Sequence, residues 1–245
     1  MPCDRLSETF VDLFGHRLSQ STLIDANRTC YSILGPVEED IKQKIIASPI
    51  ICLDETGMRI EGKRKWCHVV STENLTYYAA NPHRGSEANE DMGILPVFSG
   101  TAMHDGWSSY FKFNCKHALC NSHHLRDLTF IHEEEKQNWA KDLIDQLISI
   151  KTAVDRRRPI HGGLDLAEIK DFEERYDHII ERAKLENPPP ITSNSQGPIK
   201  KRGKKKKTKA QNLLERLQKY RREALAFMYD FVVPFDNNLA ERDLR

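Results

Sequence analysis

Two acids follow short apolar runs, each with a glycine close behind. Asp54 lies in Pro49-Ile50-Ile51-Cys52-Leu53-Asp54-Glu55-Thr56-Gly57, and Asp105 in Gly100-Thr101-Ala102-Met103-His104-Asp105-Gly106-Trp107. The four apolar residues before Asp54 read as a strand buried on both faces. A carboxylate at the end of such a strand is held rigidly, and burying it is unfavourable unless something positive meets it. A third acid, Glu241, lies just after Asp236 and Asn237, either of which can cap a last helix. Three converging carboxylates without a basic partner repel one another, and two divalent cations about 3.5–4 Å apart relieve that repulsion. Hard oxygen ligands favour Mg2+ or Mn2+ over zinc. Such a pair activates a water or hydroxyl and stabilises the leaving oxygen of a phosphodiester. Each acid also has an ordinary reading: Asp before Gly is a common turn, and Glu early in a helix answers the helix dipole. Glu55 is set aside as a ligand because neighbours on a strand face opposite ways.

The elements that must position these acids follow from the pattern on either side. Residues 4 to 48 read as helical: Leu6, Phe10, Leu13 and Phe14 recur at helical spacing, Gly15 stops them, Ser19 or Ser21 caps a second helix and Pro36 opens a third. Two short helices about a glycine turn suit either a helix-turn-helix or a packing element ahead of a sheet. The strand ending at Asp54 is followed by a turn over Met58 to Gly62. Strands at Trp66–Val70 and Leu75–Ala80 complete an antiparallel meander. Gly85 to Leu95 suits a short helix, Gly100 to Trp107 a fourth strand, and His117 to Cys120 a fifth. From His123 the chain is helical to about Arg158 and again from Leu164 to about Leu185. Pro188-Pro189-Pro190 begins an open linker, and Asn212 to Phe231 reads as one amphipathic helix. The expected divisions are a helical segment at 1–48, core strands at 49–130, a helical insertion with a basic linker at 131–210, and returning helices at 211–245. Strands one and four can lie side by side in an open sheet, which would bring Asp54 and Asp105 to one edge under a helix carrying Glu241. The fold class expected is α/β (α+β).

Composition narrows the partners. The 245 residues carry 37 basic and 36 acidic side chains, a net charge of +1, but residues 200–209 hold eight of the basic ones and no acid. That leaves 29 basic against 36 acidic elsewhere, a net of −7. An acidic body with one concentrated basic arm suits a polyanion contacted locally. Lys201, Arg202, Lys204 and Lys205 in that arm are expected to bind duplex DNA through counterion release, with little sequence reading; a solvated tail is the plain alternative. No run of eighteen apolar residues offers a membrane span, the N-terminus lacks a signal-peptide layout, and six cysteines without disulfide spacing suit a reducing cytosol. Cys115, Cys120, His123 and His124 stand as C-x4-C-x2-H-H, a set able to offer zinc Cys115, Cys120 and His123. The spacing fits no common finger, and packing cysteines is the preferred reading. Trp107 and Tyr110 beside the second acid suit stacking on a flipped base, with core packing expected for at least one of them.

Four blocks then carry a resemblance: Asp54-Glu55-Thr56-Gly57, His104-Asp105-Gly106-Trp107, Cys120-Asn121-Ser122-His123-His124-Leu125-Arg126 and Pro234-Phe235-Asp236-Asn237-Asn238-Leu239-Ala240-Glu241-Arg242. In this order they resemble the signature blocks of the insertion-sequence-66 family of bacterial transposases, from about Leu13 to the last residue. The resemblance implies a ribonuclease-H-like mixed sheet with a helical insertion before the last catalytic helix. It also implies a DDE triad of Asp54, Asp105 and Glu241, DNA cleavage at transposon ends and strand transfer into target DNA. His123, His124 and Arg126 are then expected at the active-site edge near the scissile phosphate. Asn237, Asn238 and Arg242 are expected to contact phosphate or, for the asparagines, to cap the helix. A homo-oligomer on DNA and accessory transposon proteins are the expected partners, in a bacterial cytoplasm at the nucleoid. Members of the family carry a DNA-binding region ahead of this part and continue past the Glu241 helix, so a truncated copy or fragment is expected. The alternatives are a remnant that binds DNA without catalysis, and a zinc-organised interaction module.

Overall fold

A computed structural model describes residues 2–160, 162–189 and 207–244. Helix α1 (Cys3–Phe14) ends at Gly15, whose φ of 64° lets its N–H reach Val11 O at 2.8 Å. Helix α2 (Gln20–Ile46) is capped by Ser19, whose Oγ accepts from the Thr22 N–H at 3.1 Å. Pro36 does not open a separate helix: α2 runs through it as one helix of 27 residues. The proline deprives the Ser32 carbonyl of its partner, but this stretch is exposed and water can take that place. Ile41, Ile45 and Ile46 hold the far end of α2 against the sheet.

Strands β1 (Ile50–Ile60), β2 (Lys63–Ser71) and β3 (Thr76–Asn81) form the expected antiparallel meander. The expectation that β1 stops at Asp54 is corrected, because the strand continues through Gly57 and pairs with β2 as far as Ile60↔Lys63. The chain reverses at Glu61-Gly62, both at positive φ (51° and 74°), as a tight two-residue hairpin requires. After α3 (Ser86–Met92), β4 (Thr101–His104) lies parallel to β1, and after a 3-10 turn at Tyr110–Lys112, β5 (Lys116–Leu119) lies parallel to β4. The order β3-β2-β1-β4-β5 is a mixed sheet of ribonuclease-H-like type with the two acid-bearing strands as neighbours.

The helical part comprises α4 (Asn121–Glu133), α5 (Asn138–Arg157), α6 (Leu166–Glu186), α7 (Lys209–Lys219), α8 (Arg221–Ala224), α9 (Ala226–Tyr229) and α10 (Asn238–Asp243). The single helix expected over Asn212 to Phe231 is broken at Tyr220 (ψ 36°) and Leu225 (ψ 10°). These bends let Leu225, Phe227 and Met228 all turn inward.

Alternation along β1 sorts the core. Ile51 and Leu53 face Ile45, Val70, Ile94 and Phe98, whereas Cys52 faces Met103, Leu128, Trp139 and Tyr176. The helices α4 to α7 thus share one core with the second face of the sheet. Trp139 and Tyr176 are fully buried there, and the Tyr176 hydroxyl donates to Leu217 O at 3.1 Å.

The β1–β4 register begins where Thr101 N–H meets Pro49 O at 2.9 Å. Gly100 permits that approach, since a Cβ there would lie 2.6 Å from both Pro49 O and the Phe98 ring. Gly100→Ala is expected to destabilise the fold by about 1–3 kcal/mol. A lower urea midpoint with an unchanged denaturant slope would show it.

Candidate active site

The last β1–β4 pair is Cys52↔Met103, and both residues face the helical core. Two residues further along β1 the same parity puts Asp54 on that face, and Asp105 follows the end of the neighbouring β4, near enough for its charge to act on Asp54. Asp54 is mid-strand, its Oδ1 accepting the Glu55 N–H at 2.9 Å. Asp105 leaves the sheet in a turn: its Oδ1 accepts the Trp107 N–H at 2.8 Å, and Gly106 takes φ 90°. Both acids are half-buried.

Helix α10 carries Glu241 to this place, and two sets of hydrogen bonds fix it. At its start, Asn237 is fully buried; its Nδ2 donates to Leu53 O at 2.8 Å and its backbone N–H to Cys120 Sγ at 3.2 Å. At its end, Asp243 Oδ2 accepts from Ser71 Oγ at 2.7 Å and Thr76 Oγ1 at 2.8 Å, and the Tyr78 hydroxyl donates to Asp243 O at 2.7 Å. The Ser71 hydrogen bond, ahead of burial, which acts the other way, holds the Asp243 carboxyl below its ordinary range. Glu241 between these anchors has Oε1 3.7 Å from His123 Nδ1 and 4.0 Å from Cys120 Sγ.

The electrostatics are those of crowded acids. Burial, and then the charges of Glu55, Asp105 and Glu241, push the Asp54 carboxyl up from 3.8 to about 6, against the Glu55 N–H, which lowers it. Among the described residues, no Lys or Arg pairs with Asp54, Asp105 or Glu241; the nearest ring nitrogen to Glu241 is that of His123. The three acids lie near enough for the charges of Asp105 and Glu241 to act on Asp54, and carboxylate oxygens suit hard divalent cations. Among the described residues, however, the group whose ligand atoms lie within 4.8 Å of one another is Cys120, His123 and Glu241.

A stability prediction follows. Because the folded chain binds the Asp54 proton more tightly than the unfolded chain, stability without metal falls as pH rises from about 4 through about 6. Asp54→Asn lacks that loss. Two pKa units correspond to about 3 kcal/mol, and partial exposure reduces this to about 1–2 kcal/mol. In EDTA, Asp54→Asn should be the more stable form by that amount at about pH 8, with the advantage gone near pH 4. Urea unfolding at both pH values measures it, and a less stable variant at the higher pH would contradict the crowding.

Glu55 faces the other way, as strand alternation requires. Its buried carboxylate holds Arg84 (Nη2 2.7 Å, Nε 2.8 Å from Oε1) and accepts from the Tyr110 hydroxyl. Arg84 lies between the rings of Trp66 (4.8 Å) and Trp107 (4.1 Å). Tyr110 is a core residue, while Trp107 stays exposed on the rim.

The remaining sequence candidates separate. His123 is partly exposed beside Glu241. His124, expected at the DNA edge, is corrected: it is 1% exposed, its Nδ1 is 3.1 Å from Asn121 Oδ1, and burial, then the Arg216 and His123 charges, push it down to about 3. An interior neutral imidazole has no surface with which to touch a phosphate. Arg126 is exposed over a groove with Asp127, Phe130, Lys209 and Arg216. Arg242 is exposed, 3.6 Å from Asp243 Oδ1. Lys201, Arg202, Lys204 and Lys205 lie outside the described residues.

The zinc set of Cys115, Cys120 and His123 is not brought together: Cys115 packs on the α2 face of the sheet and Cys120 on the helical face, and Glu241 stands where Cys115 was expected. Sequence reasoning missed Asn237 as an anchor, since it reads as a cap yet makes no side-chain cap bond. It also missed Asp243, whose hydroxyl partners lie 172 and 167 positions away.

No helix of the described residues is long and apolar enough to cross a membrane. No curated protein matches the chain. The family model described as Transposase IS66 family matches residues 1–245, the full length, and with the acid-bearing sheet and helix in place the chain belongs to that family.

Proposed function

We propose that Asp54, Asp105 and Glu241 hold a pair of divalent cations, Mg2+ or Mn2+, and that the chain is a DDE-type catalytic core acting on transposon ends. Membership of a transposase family makes DNA the substrate class. The observation that carries the finer reading is that Asp54 on β1 and Asp105 just past the neighbouring β4 lie near α10, which carries Glu241, so that both other charges act on Asp54, without a Lys or Arg partner among the described residues. When bound, the cations supply activation of the attacking oxygen and stabilisation of the leaving oxygen at phosphorus. The chain's own groups do the positioning. The sheet fixes Asp54, the Gly106 turn sets Asp105, and the anchors of α10 set Glu241. The reaction proposed is hydrolysis of a phosphodiester at the transposon end, followed by attack of the freed 3′-hydroxyl on target DNA. Trp107, exposed and backed by Arg84, lies on the rim where an unpaired base can stack. The basic run, Arg126 and Arg242 supply backbone contacts.

The direct test is nicking of a transposon-end duplex by the full chain. Cleavage is expected with Mg2+ or Mn2+ and none with EDTA. Equal cleavage in EDTA would remove the metal from the mechanism.

A further inference from the structure

A second donor set meets at Glu241. Cys120 immediately precedes α4 and His123 lies in its first turn, so the C-x2-H spacing presents a thiol and an imidazole together. Helix α10 brings Glu241 to both. His123 Nδ1 and Cys120 Sγ lie 3.7 Å and 4.0 Å from Glu241 Oε1, and one ligand atom from each of the three residues lies within 4.8 Å of the others. Ligand atoms around a tetrahedral zinc ion are about 3.3–3.8 Å apart, given its bond lengths, so small side-chain movements suffice. His123 Nδ1 is buried and without a hydrogen-bond partner. The sulfur, by contrast, accepts the Asn237 N–H at 3.2 Å. A backbone donor to a sulfur orients and stabilises a thiolate ligand.

The chemistry of this set differs from that of the acids. One thiolate, one imidazole and one carboxylate select a borderline-soft ion such as Zn2+ and discriminate against Mg2+. Three protein ligands leave the fourth position open. We propose that Cys120, His123 and Glu241 form a zinc site that shares Glu241 with the Mg2+-binding acids, so that zinc occupancy withdraws Glu241 and silences cleavage. The silencing rests on the proposed catalytic role of Glu241; the zinc site does not.

The test uses Co2+ as a spectroscopic stand-in, titrated into the full chain. A near-ultraviolet thiolate-to-metal band, with visible bands of tetrahedral intensity, is expected at one ion per chain. Cys120→Ser should abolish the thiolate band, Cys115→Ser should keep it, and Asp54→Asn should leave it intact. His123→Gln, on a partly exposed side chain that tolerates change, should weaken cobalt affinity by at least about tenfold. Stoichiometric Zn2+ should displace the cobalt and stop nicking in excess Mg2+. Absence of the band, or its survival in both Cys120→Ser and His123→Gln, overturns the site. Zinc that binds without slowing cleavage overturns the sharing of Glu241. Catalytic acids shown to be dispensable, with the cobalt bands intact, would sink the nuclease reading and leave the zinc site standing.

Discussion

Asp105→Asn is expected to lower Mg2+-dependent nicking about a thousandfold while the fold survives. The substitution keeps the shape of the side chain and removes one negative charge from a ligand. A divalent cation at a phosphoryl centre contributes several kcal/mol to the barrier, and about 4 kcal/mol is about three decades in rate. Among the described residues the Asp105 side chain has one hydrogen bond, its Oδ1 accepting the Trp107 N–H at 2.8 Å, and an asparagine Oδ1 accepts it equally well, so the turn through Gly106 at φ 90° is kept. Removing the charge also relieves Asp54, whose carboxyl is raised in part by Asp105. Stability at neutral pH should therefore hold or rise slightly, as seen by urea unfolding. Single-turnover nicking of a transposon-end duplex reads the activity, and a variant as active as the parent defeats the assignment of Asp105.

How much of this was legible beforehand depends on the distance over which each signal acts. Ile50 to Leu53 is a local apolar run, and Thr101 to His104 is a short segment between Gly100 and the Asp105-Gly106 turn, so the strands and their trailing acids could be read directly, as could the meander that follows Asp54. The length of β1 could not. Gly57 and the charged residues after it suggest a turn, but cross-strand pairing with Lys63 to Cys67 carries the strand on to Ile60. Local propensity yields there to a partner strand. The same limit explains Pro36 and the broken helix at Tyr220 and Leu225. Periodicity marks the apolar positions but not the backbone bends that let Phe227 and Met228 enter the core. His124 shows the converse. Beside His123 it reads as a second site residue, yet one step around α4 turns it to the interior, and the sequence alone does not show which neighbour faces out.

The least legible residue carries the other large effect. Asn237→Ala is expected to destabilise the chain by about 2–4 kcal/mol and to slow nicking by about a hundredfold. Asn237 is fully buried and links three parts of the site. Its Nδ2 donates to the carbonyl of Leu53, the residue before Asp54 and the one just past the last β1–β4 pair. Its backbone N–H meets Cys120 Sγ, and its carbonyl accepts the Glu241 N–H at 3.2 Å. Truncation leaves the Leu53 carbonyl without this donor and opens a void beside the strand that holds the first acid. The backbone contacts of residue 237 remain, so α10 still forms, but its start is no longer tied to β1. Glu241 sits one turn from that tie, and misplacement of a catalytic group by about 1 Å accounts for the expected rate loss. Asn237→Asp should be worse, because it sets a buried negative charge against a carbonyl that needs a donor. Urea midpoints and single-turnover rates of both variants test the argument. An alanine variant with parental stability and parental rate would mean that α10 is held by Asp243 and its hydroxyl partners alone.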